Sequence, residues 1–124
     1  MEKKRILLID DETDFTKLIK RNLELTGRYE VRTENNGLLG LAAAKEFKPD
    51  LIFLDILMPD VDGGEVGYNL ENDNETKDIP VIYLTAAVNK EEVEKSEGQI
   101  GGHPFIAKPV SADELINYIE ERIG

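Results

Sequence analysis

Short apolar runs that read as strands alternate with helix-period segments along the whole chain, which restricts it to an α/β fold built on a parallel sheet. Arg5–Asp10 has the continuous apolar centre Ile6-Leu7-Leu8-Ile9, the pattern of a strand buried on both faces. Phe15, Leu18, Ile19 and Leu23 follow at helical spacing, with Gly27 as the stop. Tyr29–Thr33 alternates as a second strand, and Asn35-Asn36-Gly37 opens a helix carrying Leu38, Leu41 and Ala42 that closes before Pro49. Leu51-Ile52-Phe53-Leu54 is a third strand that stops at Asp55, and Met58-Pro59-Asp60-Val61-Asp62-Gly63-Gly64 is a loop by its turn chemistry. The helix expected around Glu65–Asn72 is weakly specified, because Gly64 and Gly67 lower its propensity. Pro80-Val81-Ile82-Tyr83-Leu84 is a fourth buried strand ending at Thr85. Asn89–Glu97 predicts a polar fourth helix, short or mobile, with Gly98, Gly101 and Gly102 beyond it. A short fifth strand, Phe105-Ile106-Ala107, runs into Lys108-Pro109. Ser111 and Glu114 then form a capping box, and the last helix presents Leu115, Ile116, Ile119 and Ile123 on one face.

Right-handed crossovers turn five such strands into one sheet with helices on both faces, so residues 1–124 are expected to form one domain. A length of 124 residues suits one core and is too short for two ordinary ones. The apolar run after Met1-Glu2-Lys3-Lys4-Arg5 is four residues long and ends in Asp10-Asp11-Glu12, which no signal-peptide core tolerates. No run is long enough to span a bilayer, and no membrane association is expected. The absence of cysteine excludes disulfides and thiolate metal sites and fits a cytoplasmic protein. A net charge of −11 repels nucleic-acid phosphates, so direct DNA or RNA binding by this domain is not expected.

The ends of the strands decide whether that acid is only a solubilising coat. The first strand ends at Asp10-Asp11, the third at Asp55, the fourth at Thr85 and the fifth at Lys108. Ligands of open parallel sheets bind beyond the carboxyl ends of the strands. If the first and third strands are neighbours, three carboxylates, a hydroxyl and an amine converge there. Singly, each aspartate is an ordinary turn former or helix cap, Thr85 an ordinary strand-end hydroxyl and Lys108 a surface charge. Jointly they are costly, because three carboxylates at one edge repel one another unless compensated. A hard divalent cation with a nearby ammonium supplies the compensation. Mg²⁺ fits best, since it prefers oxygen and is held by one or two carboxylates plus a phosphate oxygen. With no cysteine and His103 as the one imidazole, zinc fits poorly.

Ile9-Asp10-Asp11-Glu12, Leu54-Asp55-Ile56-Leu57-Met58-Pro59, Asp62-Gly63, Leu84-Thr85-Ala86 and Ala107-Lys108-Pro109 occur in the order and spacing of a known family. In this set the chain resembles the CheY-like receiver domain of two-component response regulators, over nearly its whole length. The resemblance implies a flavodoxin-like (βα)5 doubly wound sheet in the order 2-1-3-4-5. It implies Asp55 as phosphoacceptor, with Asp11, Asp55 and the Leu57 carbonyl on Mg²⁺ and Asp10 acting mostly through water. Thr85 and Lys108 would hold phosphoryl oxygens, Phe105 would follow Thr85 as the switch aromatic, and Leu57 and Ala87 would tune the phosphoryl lifetime. The Lys108–Pro109 peptide would be cis. A signalling switch is thereby implied rather than an enzyme in the ordinary sense, one that takes part in its own phosphorylation and slow dephosphorylation. The implied partners are a sensor histidine kinase or phosphotransfer protein and a downstream effector protein or fused effector domain. A homodimer through the fourth helix, fifth strand and fifth helix is also within the family's range.

Three other readings share this kind of sheet. Aspartate-type phosphatases need Asp-x-Asp after the first strand, where this chain has Asp10-Asp11-Glu12. A flavin module needs a Ser/Thr/Gly-rich phosphate loop at the same place. A receiver fold that only binds partners would not need the full set of site residues. Gly64 departs from the apolar residue usual at its position, and His103 reads as a cap of the fifth strand rather than a phosphotransfer histidine.

Overall fold

A computed structural model of the chain describes residues 2–59, 61–86, 91, 99–100 and 103–124. Five parallel strands are β1 (Lys4–Ile9), β2 (Tyr29–Glu34), β3 (Leu51–Asp55), β4 (Val81–Thr85) and β6 (His103–Ala107), and a two-residue β5 (Gln99–Ile100) precedes the last. The sheet runs β2-β1-β3-β4-β6-β5, so the five parallel strands take the expected 2-1-3-4-5 order. The added strand is the antiparallel β5 on the outer edge of β6, where that edge would otherwise leave its amides and carbonyls unpaired. The helices are α1 (Thr13–Leu25), α2 (Gly40–Phe47), α3 (Gly63–Asn72) and α4 (Ala112–Ile123). The helix expected over 89–97 lies outside the described residues apart from Glu91, as do Asp60, Ala87, Gly98, Gly101 and Gly102.

The continuous apolar strands are continuous because both faces of the sheet are covered. Ile6, Leu8, Phe53, Leu84 and Ile106 point to one side and pack with Ile19 and Leu23 of α1 and Leu115 and Ile119 of α4. Leu7, Ile9, Ile52, Leu54 and Tyr83 point to the other and meet Ala43 and Ala44 of α2 and Val66 and Leu70 of α3. The period of two along each strand divides neighbouring apolar residues between two cores.

Helix phase differs from expectation in two places. Leu18 is exposed, and Thr16 takes an inward position on α1, its hydroxyl donating to Thr13 O at 3.0 Å. Leu38 and Ala42 are also exposed. A single 3-10 turn, Gly37–Leu39, comes between β2 and α2, capped by Asn36, whose side chain accepts from the Leu38 amide. The helix proper starts at Gly40, which rotates its buried face onto Gly40, Ala43 and Ala44. The third helix begins two residues before the expected Glu65, because the Asp62 side chain accepts from the Gly64 amide and caps it. Gly67 has a packing role: a Cβ there would collide with the Tyr83 hydroxyl. The Ser111–Glu114 capping box is present in full, and Gly27 ends α1 at φ 76°.

Candidate functional site

Register brings the acidic strand tips together. Ile9 pairs with Leu54 and Asp55 with Leu84, so Asp10 and Asp55 emerge side by side at the carboxyl edge. Thr85 pairs with Ala107, which sets Lys108 one residue beyond the fourth strand's end. Asp10, Asp55 and Thr85 are all buried, and Asp11 is half-buried. Carboxylate oxygens of Asp10, Asp11 and Asp55 lie within 4.8 Å of one another, a spacing that one cation can bridge.

The remaining bonds sort these carboxylates. Asp10 Oδ1 accepts from the Glu12 amide at 2.9 Å, and its Oδ2 accepts from Lys108 Nζ at 2.9 Å. Asp55 Oδ1 accepts from the Leu57 amide at 3.1 Å, while Lys108 stands 3.7 Å from its Oδ2. Burial, then repulsion from Asp10, pushes the Asp55 carboxyl up to about 7, against the pull of the Leu57 amide and the Lys108 charge. Burial by itself would lower Lys108, but hydrogen bonds to Glu12 and Asp10 and the charges of Asp10 and Asp55 raise it further. It therefore stays an ammonium throughout the physiological range. The donor set suits a hard cation: oxygen only, three carboxylates, and a frustrated Asp55 whose anion a divalent ion would favour.

Other sequence-derived residues fall at or near this edge. The Leu57 side chain is exposed, and the residue bridges to Asp62 across the β3–α3 loop. Phe105 stacks on Tyr83 with ring centroids 5.1 Å apart. Phe105 pairs with Tyr83, two residues before Thr85, so its side chain and that of Thr85 share one face of the sheet. The Lys108–Pro109 peptide is cis. His103 begins β6 and meets Glu71 through Nδ1 at 3.5 Å, away from the carboxylates.

Three residues of this site were not anticipated. Glu12 binds Lys108. Phe15 lies under the same ammonium, 4.8 Å from its ring centroid. Asn35 Nδ2 donates to Asp10 O at 2.7 Å and Thr16 Oγ1 at 3.0 Å, tying the loop after β2 to the first acidic tip. The adjacency of Glu12 to Asp10-Asp11 was the one available signal, and Phe15 looked like any core residue.

Gly63 fits the β3–α3 loop against the site. A Cβ there would collide with the Asp55 carbonyl and the Ile56 Cα, both backbone and unable to swing away. Gly63→Ala is therefore expected to cost about 1–3 kcal/mol by overpacking and to displace Asp55. Urea unfolding and Mg²⁺ titration of the variant measure both.

The model of the family described as "Response regulator receiver domain" matches residues 6–120. This chain belongs to that family. It is a receiver domain of two-component signalling, and receiver domains bind Mg²⁺ at an acidic pocket of this kind. The polar-differentiation response regulator DivK of Brucella anthropi is 37% identical over 121 residues, covering 98% of this chain and 97% of DivK. The DNA-binding dual master transcriptional regulator RpaA of Synechocystis sp. is 39% identical over 113 residues, which cover 90% of this chain. This receiver domain spans 46% of RpaA's length. A CheY-like receiver domain protein from Methanospirillum hungatei superposes with a TM-score of 0.79 at 30% identity, covering 98% of this chain and 94% of that one. Vibrio cholerae CheY4, at 24% identity and a TM-score of 0.80 over 97% of this chain and 98% of its own, shares the fold. No helix among the described residues is long and apolar enough to cross a membrane.

Proposed function

We propose that the chain, as one receiver unit over residues 1–124, accepts a phosphoryl group on Asp55 from a histidine kinase or phosphotransfer protein and so switches a partner-binding surface. The observation that carries this reading is the convergence of Asp10, Asp11 and Asp55 within 4.8 Å, with Lys108 at 3.7 Å from Asp55. Asp11 and Asp55 would hold Mg²⁺ with the Leu57 carbonyl, and Asp10, whose oxygens are engaged by Glu12 N and Lys108, would act through water. Bound Mg²⁺ supplies charge neutralisation for the carboxylates and for the transferring phosphoryl oxygens. Asp55 serves as the nucleophile, a weak one that needs little beyond alignment, since phosphoryl transfer is governed by positioning and electrostatics. Lys108 and the Thr85 hydroxyl take equatorial oxygens, and exposed Ala86 leaves the approach open.

The output follows from shared packing. Drawing the Thr85 hydroxyl toward the phosphoryl group makes room on the face it shares with Phe105, and the Phe105 ring leaves Tyr83 to fill it. Near-complete switching takes about 5.5 kcal/mol of differential interaction, within reach of two or three charge-assisted hydrogen bonds in a dry site. The surface so altered lies around β6 and α4, where a downstream effector, a fused effector domain or a second copy would dock, in a cytoplasmic setting. The test is exposure to an acyl phosphate with Mg²⁺ or with a chelator, followed by peptide mapping. A single phosphoryl group on Asp55 is expected in Mg²⁺, and no uptake in the chelator. Label elsewhere, or uptake indifferent to the chelator, would sink the reading.

A further inference from the structure

The first turn of α1 lacks a side-chain cap. Glu12 occupies the N-cap position with extended backbone, yet its carboxylate accepts from none of the orphan amides behind it. Side chains cap α3, α4 and the 3-10 turn, from Asp62, Ser111 and Asn36, whereas α2, which follows Leu39, also starts without one. The Glu12 side chain reaches instead to Lys108, 96 residues away in sequence, and makes the shortest contact that the ammonium has.

Lys108 is thus held on three sides, by Asp10 Oδ2, Glu12 Oε1 and the face of Phe15, and stands 3.7 Å from Asp55. Asp10 is fully buried, and its partner is needed to offset the buried charge. Glu12 is different. Its side chain is 60% exposed, so water would solvate it if Lys108 left. An ammonium has three protons in rotatable positions, and the one pointed at Glu12 can be redirected without stranding a buried charge.

We propose that Glu12 is a positioning residue that holds Lys108 back from the phosphoryl site and must release it when the phosphoryl group arrives. The inference rests on the phosphoacceptor reading of Asp55. Glu12 competes with the phosphoryl oxygens for one ammonium, so its contact stabilises the unphosphorylated state and weakens phosphoryl binding by the same amount. Because the Glu12 end of the pair is 60% exposed to water, the effect is modest, roughly two- to fivefold in affinity.

The test is calorimetric titration of the full chain with beryllium fluoride, a phosphoryl mimic, in saturating Mg²⁺. Glu12→Gln removes the charge and leaves a weaker, neutral acceptor for Lys108. Glu12→Asp keeps the charge but is one methylene short of Lys108. Both variants are expected to bind the mimic roughly two- to fivefold more tightly than the parent, with no gain in affinity for Mg²⁺ alone. Unchanged mimic binding in Glu12→Gln would overturn the proposal. So would a gain that Glu12→Asp does not share, which would indicate a general field effect, or a parallel gain for Mg²⁺. Failure of the parent chain to bind the mimic at all would instead count against the phosphoacceptor reading.

Discussion

An Asp55→Asn protein is expected to take up no phosphoryl group from an acyl phosphate in Mg²⁺, and to be more stable than the parent when Mg²⁺ is chelated. The first effect follows from removing the proposed nucleophile. The second follows from the surroundings of its carboxyl. Asp55 is buried beside Asp10, and its carboxyl is pushed from 3.8 to about 7, by burial first and by the Asp10 charge second. A folded-state value above the unfolded one means that the native protein binds the proton more tightly than the unfolded chain does. Stability from this group is therefore full below about pH 4 and is lost as pH rises through about 7, the reverse of a salt-bridged carboxylate. Above that window the metal-free protein carries a penalty on the order of 2–4 kcal/mol. Asparagine keeps the shape and removes the charge. Melting curves of parent and variant in chelator should then coincide near pH 4 and separate toward pH 8, the variant melting higher. Added Mg²⁺ should raise the parent and leave the variant nearly unmoved. Curves that stay parallel across pH would show that Asp55 is not held under electrostatic strain.

Lys108→Met should be costly in the opposite sense. The ammonium, 9% exposed, is the bonded partner of the fully buried Asp10 and a neighbour of Asp55. Methionine keeps most of the stem's packing but, among the described residues, leaves the Asp10 carboxylate with the Glu12 amide on one oxygen. Stranding one member of a buried ion pair costs about 3–5 kcal/mol. Denaturant unfolding in chelator should report a loss of that size. Millimolar Mg²⁺ should restore part of it, because a divalent cation beside the same carboxylates takes over some of the neutralisation. Phosphoryl uptake should also drop if, as proposed, Lys108 takes an equatorial oxygen. A loss below about 1 kcal/mol would mean that Lys108 does not offset a buried charge on Asp10.

The strand tips were legible because a buried parallel strand is an apolar run and the first polar residue after it marks the carboxyl edge. Asp10, Asp55, Thr85 and Lys108 stand at such ends, and the order and spacing of their motifs are those of receiver domains. Helix faces were less legible. Leu18 and Leu38 satisfy a helical period on paper, yet both are exposed, because Thr16 bonds inward and a 3-10 turn resets the phase before α2. Gly67 read as a weakness of α3, whereas it leaves the space that the Tyr83 hydroxyl occupies.

What the chain's order of residues determined alone is the alternation of strands and helices and the chemistry waiting at each strand end, since both depend on local pattern. Tertiary structure decided which ends touch. Parallel register set Asp55 beside Asp10, turned Glu12 away from its own helix toward Lys108, and put Phe15 beneath that ammonium. Contacts between residues up to 98 positions apart depend on how strands pair and twist, a property of the assembled sheet that no local window contains.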